Sequence, residues 1–228
     1  MPLILMHLPK TAGDSLRAAA SSQYTPDEHL YLKGSSSRNM LKMAEGIPIE
    51  IRDRAKLVSG HGRWGIHQAF TQESQYAVVL RHPVDRIVSL YQWLTDNPRP
   101  RTDRLIRPGF EKFALGTSLA DVDNGMTRLL CGHRQVAGDE MHAPVTPEDF
   151  QVAFNRLRVM SFVGIAGDLP GFIERLAEGR GWSEVPQIPH RHRSTTRLDV
   201  PTRILSKVAE RNRWDMMLYE EAVTLSGA

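Results

Sequence analysis

A single cysteine, Cys131, stands in 228 residues, and that scarcity removes two classes of explanation. No internal disulfide can form, and no thiolate cluster can hold a structural metal. The chain also lacks an apolar run long enough for a secretory leader or a membrane span, because the stretch at 3–8 is short and Lys10 soon interrupts it. A reducing, cytoplasmic setting is therefore the expectation. Nor does one sign of charge dominate: 29 Lys and Arg stand against 26 Asp and Glu, a formal net charge of +3. That small excess suits an anionic ligand without arguing for nucleic acid. With 41% hydrophobic and 24% charged residues, global disorder is excluded. Length and composition fit one domain over 1–228, with no internal repeat and no low-complexity segment.

What is present is an alternation of strands and helices. The runs LILMHL (3–8), KLVSG (56–60), YAVVLR (76–81) and VMSFVGIA (159–166) are short, apolar and rich in branched residues, as buried parallel strands are. From Pro83 to Thr95, Ile87, Leu90, Tyr91 and Leu94 share one helical face, with Pro83 suited to the first turn. TPEDFQVAFNRLR begins with Thr146 as N-cap, Pro147 at N1 and Asp149 in the capping-box position. GDLPGFIERLAEG and PTRILSKVAERN carry similar start signals. The segments 33–39, 96–108 and 186–200 read as polar loops. The expected architecture is α/β, a mostly parallel sheet flanked by helices.

The stretch HLPKTAGDSL comes directly after the first strand. A strand ending near Leu8, a tight loop and a helix starting near Asp14 aim backbone N–H groups at the space above the carboxyl edge of the sheet. Lys10 adds a mobile positive charge, Gly13 lets the backbone approach a ligand, and the hydroxyls of Thr11 and Ser15 can donate to phosphate oxygens. Ala12, Asp14 and Leu16 complete the loop and the first turn. This is not a Walker A loop, in which the lysine comes after the glycines; here Lys10 precedes Gly13. An ordinary strand-to-helix turn with an incidental lysine reads the same way from this stretch alone.

A second stretch, VVLRHPVDRIVSLYQWL, again runs from strand to helix. It places Arg81 at the strand end, Arg86 in the first helical turn and Ser89 one turn on. A guanidinium and a hydroxyl suit a second phosphate. Together, PKTAGDSL and RHPVDRIVSLY resemble the two nucleotide-binding signatures of sulfotransferases that use 3′-phosphoadenosine 5′-phosphosulfate (PAPS). The second signature is matched at Arg81, Pro83, Arg86, Ser89 and Tyr91. SGHGRWGIH is similar to the Gly-His segment of the glycan 2-O-sulfotransferase branch and its bacterial relatives, where the histidine acts as base; His61 is the matching position. NGMTRLLCG (124–132) and SFVGIAGDLPGFIERL (161–176) resemble later family segments.

The resemblance implies a P-loop-like three-layer fold and an enzyme that moves the sulfuryl group of PAPS to an acceptor hydroxyl, on a glycan or a small alcohol. It implies PAP as product and no metal. Residues 10–16 would hold the 5′-phosphosulfate, and Arg81 and Ser89 the 3′-phosphate. HRHRSTTRLD (190–199) resembles the loop that closes over the nucleotide, with Ser194, Thr195 and Arg197 as candidate contacts. The likeness is greatest over 5–20 and 76–94 and fades toward the substrate-facing loops.

The chemistry can also be argued from the residues. Sulfuryl transfer, like phosphoryl transfer, relies on positioning and on neutralising the departing phosphate, for which Lys10 is suited. An imidazole such as His61 can take the acceptor's proton, worth roughly 10²–10⁴-fold. Asp14 departs from the family pattern, where Thr or Ser is usual. A carboxylate facing a bound anion from about 5 Å at an effective dielectric near 20 costs roughly 3 kcal/mol. Turned aside to cap the helix, it instead contributes about 0.5–2 kcal/mol.

The remaining features have plainer readings. Arg99, Arg101, Arg104 and Arg107 suit an acidic acceptor or simply a solvated loop. His190 and His192 lack the accompanying ligands of a metal site. Trp64 and His67 are placed near His61, lining the acceptor pocket or the core, and Tyr91 and Trp93 read as packing residues. Two alternatives stay open: a phosphotransferase using ATP and Mg²⁺, and a non-catalytic relative in which Asp14 has weakened PAPS binding.

Overall fold

Five short strands form a sheet in which every neighbouring pair is parallel. The computed structural model describes residues 1–32, 40–116, 119–132, 143–189 and 198–227. In chain order the strands are β1 (Leu3–Met6), β2 (His29–Tyr31), β3 (Leu57–Gly60), β4 (Gln75–Leu80) and β5 (Phe162–Ile165). Their order across the sheet is β2-β3-β1-β4-β5. Four of them coincide with the apolar runs in the sequence. The fifth, β2, is three residues of HLY at the edge, too short and too exposed to carry an apolar signature.

The interior strands are covered on both faces, which is why they read as continuous rather than alternating apolar runs. Leu3, Leu5, Ala77 and Val79 point to one face, where they pack with Leu16, Ala19, Phe172, Ile173 and Leu176. Those partners lie on α1 (Gly13–Ser21) and on a helix over Leu169–Arg180. Ile4, Met6, Tyr76, Val78 and Leu80 point to the other face, against Met126, Leu130, Ala153, Leu157, Leu218 and Ala222. Helix–sheet–helix layering results from this two-residue alternation.

In chain order the helices after α1 are α2 (Met40–Glu45), α3 (Ile49–Arg54), α4 (Pro83–Asp96), α5 (Pro100–Ile106), α6 (Phe110–Gly116) and α7 (Gly125–Leu130). They continue with α8 (Pro147–Arg158), α9 (Leu169–Arg180), α10 (Thr202–Arg211) and α11 (Arg213–Ser226). The capping box on α8 is formed in both directions: Asp149 N–H donates to Thr146 Oγ1 at 3.2 Å, and Thr146 N–H donates to Asp149 Oδ2 at 3.0 Å. The segment 96–108, expected as a loop, contains α5; Pro100 supplies a helical φ at the first turn, and Ile106 packs into a third cluster with Ile87, Phe113, Ile204 and Val208. That cluster ties α4, α5, α6 and α10 together beside the sheet.

Topology decides where a ligand can sit. From β1 the chain departs toward β2 on one side, and from β4 it departs toward β5 on the other. The reversal falls between β1 and β4, and in open parallel sheets the crevice at such a switch point, outside the carboxyl ends of the strands, is where ligands bind. Among the described residues, no helix is long and apolar enough to cross a membrane.

Candidate functional site

The loops after β1 and β4 meet at this switch point. The Arg81 guanidinium, just past β4, donates from Nη1 to the carbonyl of Lys10 at 3.4 Å. The loop after β1 holds two non-glycine residues in left-handed backbone, Lys10 at φ 66° and Ala12 at φ 68°. Each such residue costs on the order of 1 kcal/mol, and alternating turns of this kind form concave nests of N–H groups. Ala12, the N-cap of α1, has no side chain that could cap the first-turn N–H groups. The N-terminus of α4, behind His82 and Pro83, also has no side-chain cap. Two helix dipoles therefore direct positive ends toward one edge of the sheet.

The side chains of the first loop divide between accessible and buried, structural positions. Lys10 is half-buried, its Nζ 5.5 Å from the centre of the Trp93 ring on α4. Burial, then the neighbouring Arg81 charge, holds its pKa below the ordinary lysine value, while Asp14 and Asp96 oppose the shift. Burial likewise lowers Arg81. Thr11 departs from its expected role as a phosphate donor: its hydroxyl is buried and donates to Leu8 O at 3.0 Å, pinning the loop from within. Leu16 is a core residue, and its N–H closes the first helical bond to Ala12 O at 3.1 Å. Ser15 Oγ donates to Pro189 O at 3.1 Å. It also lines a cavity of about 550 Å³ with Ala166, Leu169, Ile173, Pro186 and Pro189.

Asp14 does not cap α1. The helix begins one residue earlier, so Asp14 lies inside the first turn, exposed, with its carboxylate 3.5 Å from Arg17 Nη2. It still complements the dipole, and it points along the helix toward Arg17. Gly13 also differs from expectation. Its φ is not left-handed, and the space where a Cβ would stand is taken by the chain's own His7, with Cδ2 at 1.9 Å. The approach that Gly13 permits is that of an imidazole ring.

That ring brings in a residue that the sequence did not single out. His7 is 9% exposed, and it stacks on the exposed His61 with centroids 4.0 Å apart and planes at 29°. β1 and β3 are neighbours, so the residues just past their ends meet across the sheet edge. Burial first, then the His61 charge, pushes the His7 pKa down to about 4; Arg17 and Lys10 act the same way and Asp14 opposes. The signal available in the sequence was a histidine two residues before the Pro-Lys-Thr loop, with Leu8 between them. Its burial became visible only once β3 was placed beside β1.

Arg86 lies elsewhere. It is fully buried under α7, where its Nη2 lies 3.7 Å from Asp215 Oδ2 and donates to the carbonyl of Asp121. Asp215 in turn accepts from Met126 N–H at 3.0 Å, Thr127 N–H at 2.7 Å and Thr127 Oγ1 at 2.8 Å. A Cβ at position 125 would stand 2.8 Å from Arg86 Nη2, so the glycine of the NGMTRLLCG segment makes room for this guanidinium. Arg86 is thus a packing keystone, not a phosphate ligand. Tyr91 is packing too, edge-on to Phe110 at 5.5 Å. Ser89 is half-buried on α4.

No family model matches this chain. A search of curated proteins also finds no match. The site therefore rests on its own geometry: Lys10 and Arg81 at one switch point, His61 on His7 beside them, and Ser15 lining a cavity. Trp64 and His67 are not part of that edge. Trp64 stacks on Tyr76 at 4.5 Å, His67 Nδ1 lies 2.9 Å from the Tyr76 hydroxyl, and both open onto a cavity of about 730 Å³ shared with Met1, Gln75 and Ser161, at the amino ends of the strands. Ser194, Thr195 and Arg197, with His190 and His192, lie outside the described residues. No group of three His, Cys, Asp or Glu suited to a metal occurs among the described residues.

Proposed function

We propose that the chain is a PAPS-dependent sulfotransferase acting on an acceptor hydroxyl. The observation that carries this reading is the contact between Arg81 and the Lys10 carbonyl at the switch point. It brings the two family-like motifs, 71 residues apart in sequence, into one ligand-sized neighbourhood.

The local chemistry fits a bis-anionic nucleotide. The left-handed turns at Lys10 and Ala12 and the uncapped start of α1 offer N–H groups to one phosphate, and Arg81 offers a fork to another. The cavity beside Ser15 lies within the size range of small-molecule pockets, about 300–1,000 Å³. When bound, the donor supplies an activated sulfuryl group. Lys10 would leave Trp93 to neutralise the departing phosphate oxygen, which is the main electrostatic demand of an in-line transfer. His61, the accessible member of its pair, would accept the hydroxyl proton as the acceptor oxygen bonds to sulfur and the sulfur–phosphate oxygen bond breaks. Asp14, drawn toward Arg17, adds less repulsion than a carboxylate facing the ligand would.

Isothermal titration with PAP, set beside ATP with Mg²⁺, tests the reading. Selective binding of PAP supports it. Preference for ATP with Mg²⁺ replaces it with phosphoryl transfer, and binding of neither replaces it with a non-catalytic role.

A further inference from the structure

We propose that His7 is a positioning residue for His61, a ring clamped between the start of α1 and the base so that the His61 imidazole holds one orientation at the site. The inference rests on the sulfotransferase reading for its catalytic meaning, but the clamp itself stands on geometry.

Three independent features build the clamp. The backbone N–H of His7 donates to Gly60 O at 3.4 Å, joining the end of β1 to the residue just before His61. One side of the ring fills the space that Gly13 leaves open, where a methyl group would collide with Cδ2, Nε2 and Cγ at 1.9, 2.3 and 2.5 Å. Against the ring lies His61 at 4.0 Å, close to parallel. A side chain enclosed in this way is confined to its rotamer, whereas His61 is exposed on its loop. A base displaced by about 1 Å can lose roughly 10²-fold in rate, so a fixed face is worth having.

Burial first, and then the charges around the ring, keep it neutral. Lys10 on the loop, Arg17 on α1 and His61 past β3 all disfavour a cation at His7, and among the described residues Asp14 favours one. With His7 buried and neutral, the exposed His61 is the member of the pair that an acceptor can reach. A phenyl ring reproduces the stacking surface but not the titration, so the two roles can be separated.

The test uses the full chain with ¹⁵N-labelled histidine, following imidazole signals by NMR from about pH 8 downward. In the unaltered chain His7 is expected to stay neutral until about pH 4, and His61→Asn should raise that midpoint because the neighbouring charge is gone. His7→Ala should move the His61 ring signals toward solvent-exposed values, and His7→Phe should leave them displaced by the ring contact. Titration of His7 near its ordinary value of 6.5, or His61 signals identical in the His7→Ala variant and the unaltered chain, overturns the clamp. With PAPS and an accepting alcohol, His7→Ala should slow turnover about tenfold or more with PAP affinity unchanged, and His7→Phe should recover to within about threefold. A phenyl variant as slow as the alanine one overturns the positioning role. If the unaltered chain neither binds PAP nor turns over PAPS, the enzymatic reading fails, and the NMR comparison still decides the clamp.

Discussion

Arg86 offers the sharpest separation between a residue that binds nucleotide and one that holds the fold. Both Arg86 and Asp215 have fully buried side chains, and breaking such a pair by removing one partner costs about 3–5 kcal/mol. The two removals are not equivalent. In Arg86→Met, Asp215 keeps three donors from Met126 and Thr127, so the loss belongs at the lower end, about 3 kcal/mol. In Asp215→Ala, the guanidinium keeps the Asp121 carbonyl, while its Nε and Nη1 have no hydrogen-bond partner among the described residues. The start of α7 also loses its carboxylate acceptor, which places the cost at about 5 kcal/mol. For a domain of this size each kcal/mol moves Tm by about 2–4 °C. Melting followed by circular dichroism should therefore fall by roughly 6–12 °C for Arg86→Met and roughly 10–20 °C for Asp215→Ala. The double variant should fall by less than the sum, because the residues form one network. PAP affinity of folded Arg86→Met should stay within about threefold of the unaltered chain, since Arg86 is remote from solvent. A variant that melts normally but loses PAP would refute the keystone assignment and place Arg86 at the phosphate.

The charges around α1 lead to two further outcomes. The His7 pKa is depressed in the fold, so between its ordinary value of 6.5 and about 4 the unfolded chain binds a proton that the native chain does not. Stability contributed by this site is therefore full above about pH 6.5 and declines as pH falls toward 4, by up to about 3 kcal/mol. Urea midpoints measured at several pH values should show that slope, and His7→Phe should flatten it; an unchanged slope would disprove the buried neutral histidine. Asp14→Thr should alter PAP affinity less than about fivefold, because the carboxylate already lies along the helix toward Arg17. A gain of a hundredfold by titration calorimetry would mean that Asp14 faces the ligand after all.

Local signals survive into the fold where the physics is local. The Thr146–Pro147–Asp149 start of α8 depends on atoms three residues apart, and it forms as read. Four strands were visible because burial on both faces demands uninterrupted apolar residues, whereas β2 and α5 were missed because an edge strand of three residues and a short, largely polar helix carry no such demand. In the candidate site, the loop's composition suits an anion, but composition does not say which hydroxyl turns inward. Thr11 and Ser15 are equally capable donors on paper; one pins Leu8 and the other reaches Pro189, 174 residues away.

By itself the amino-acid sequence determined the α/β alternation, the strand-to-helix turns after β1 and β4, and the residue types able to meet an anion there, because all of these depend on spacing along the chain. Only the tertiary structure decided that Arg81 reaches Lys10, that Arg86 is withdrawn beneath α7, and that Gly13 is kept open for His7 to meet His61. Those outcomes depend on strand order, which sets distant segments side by side and which no local pattern encodes.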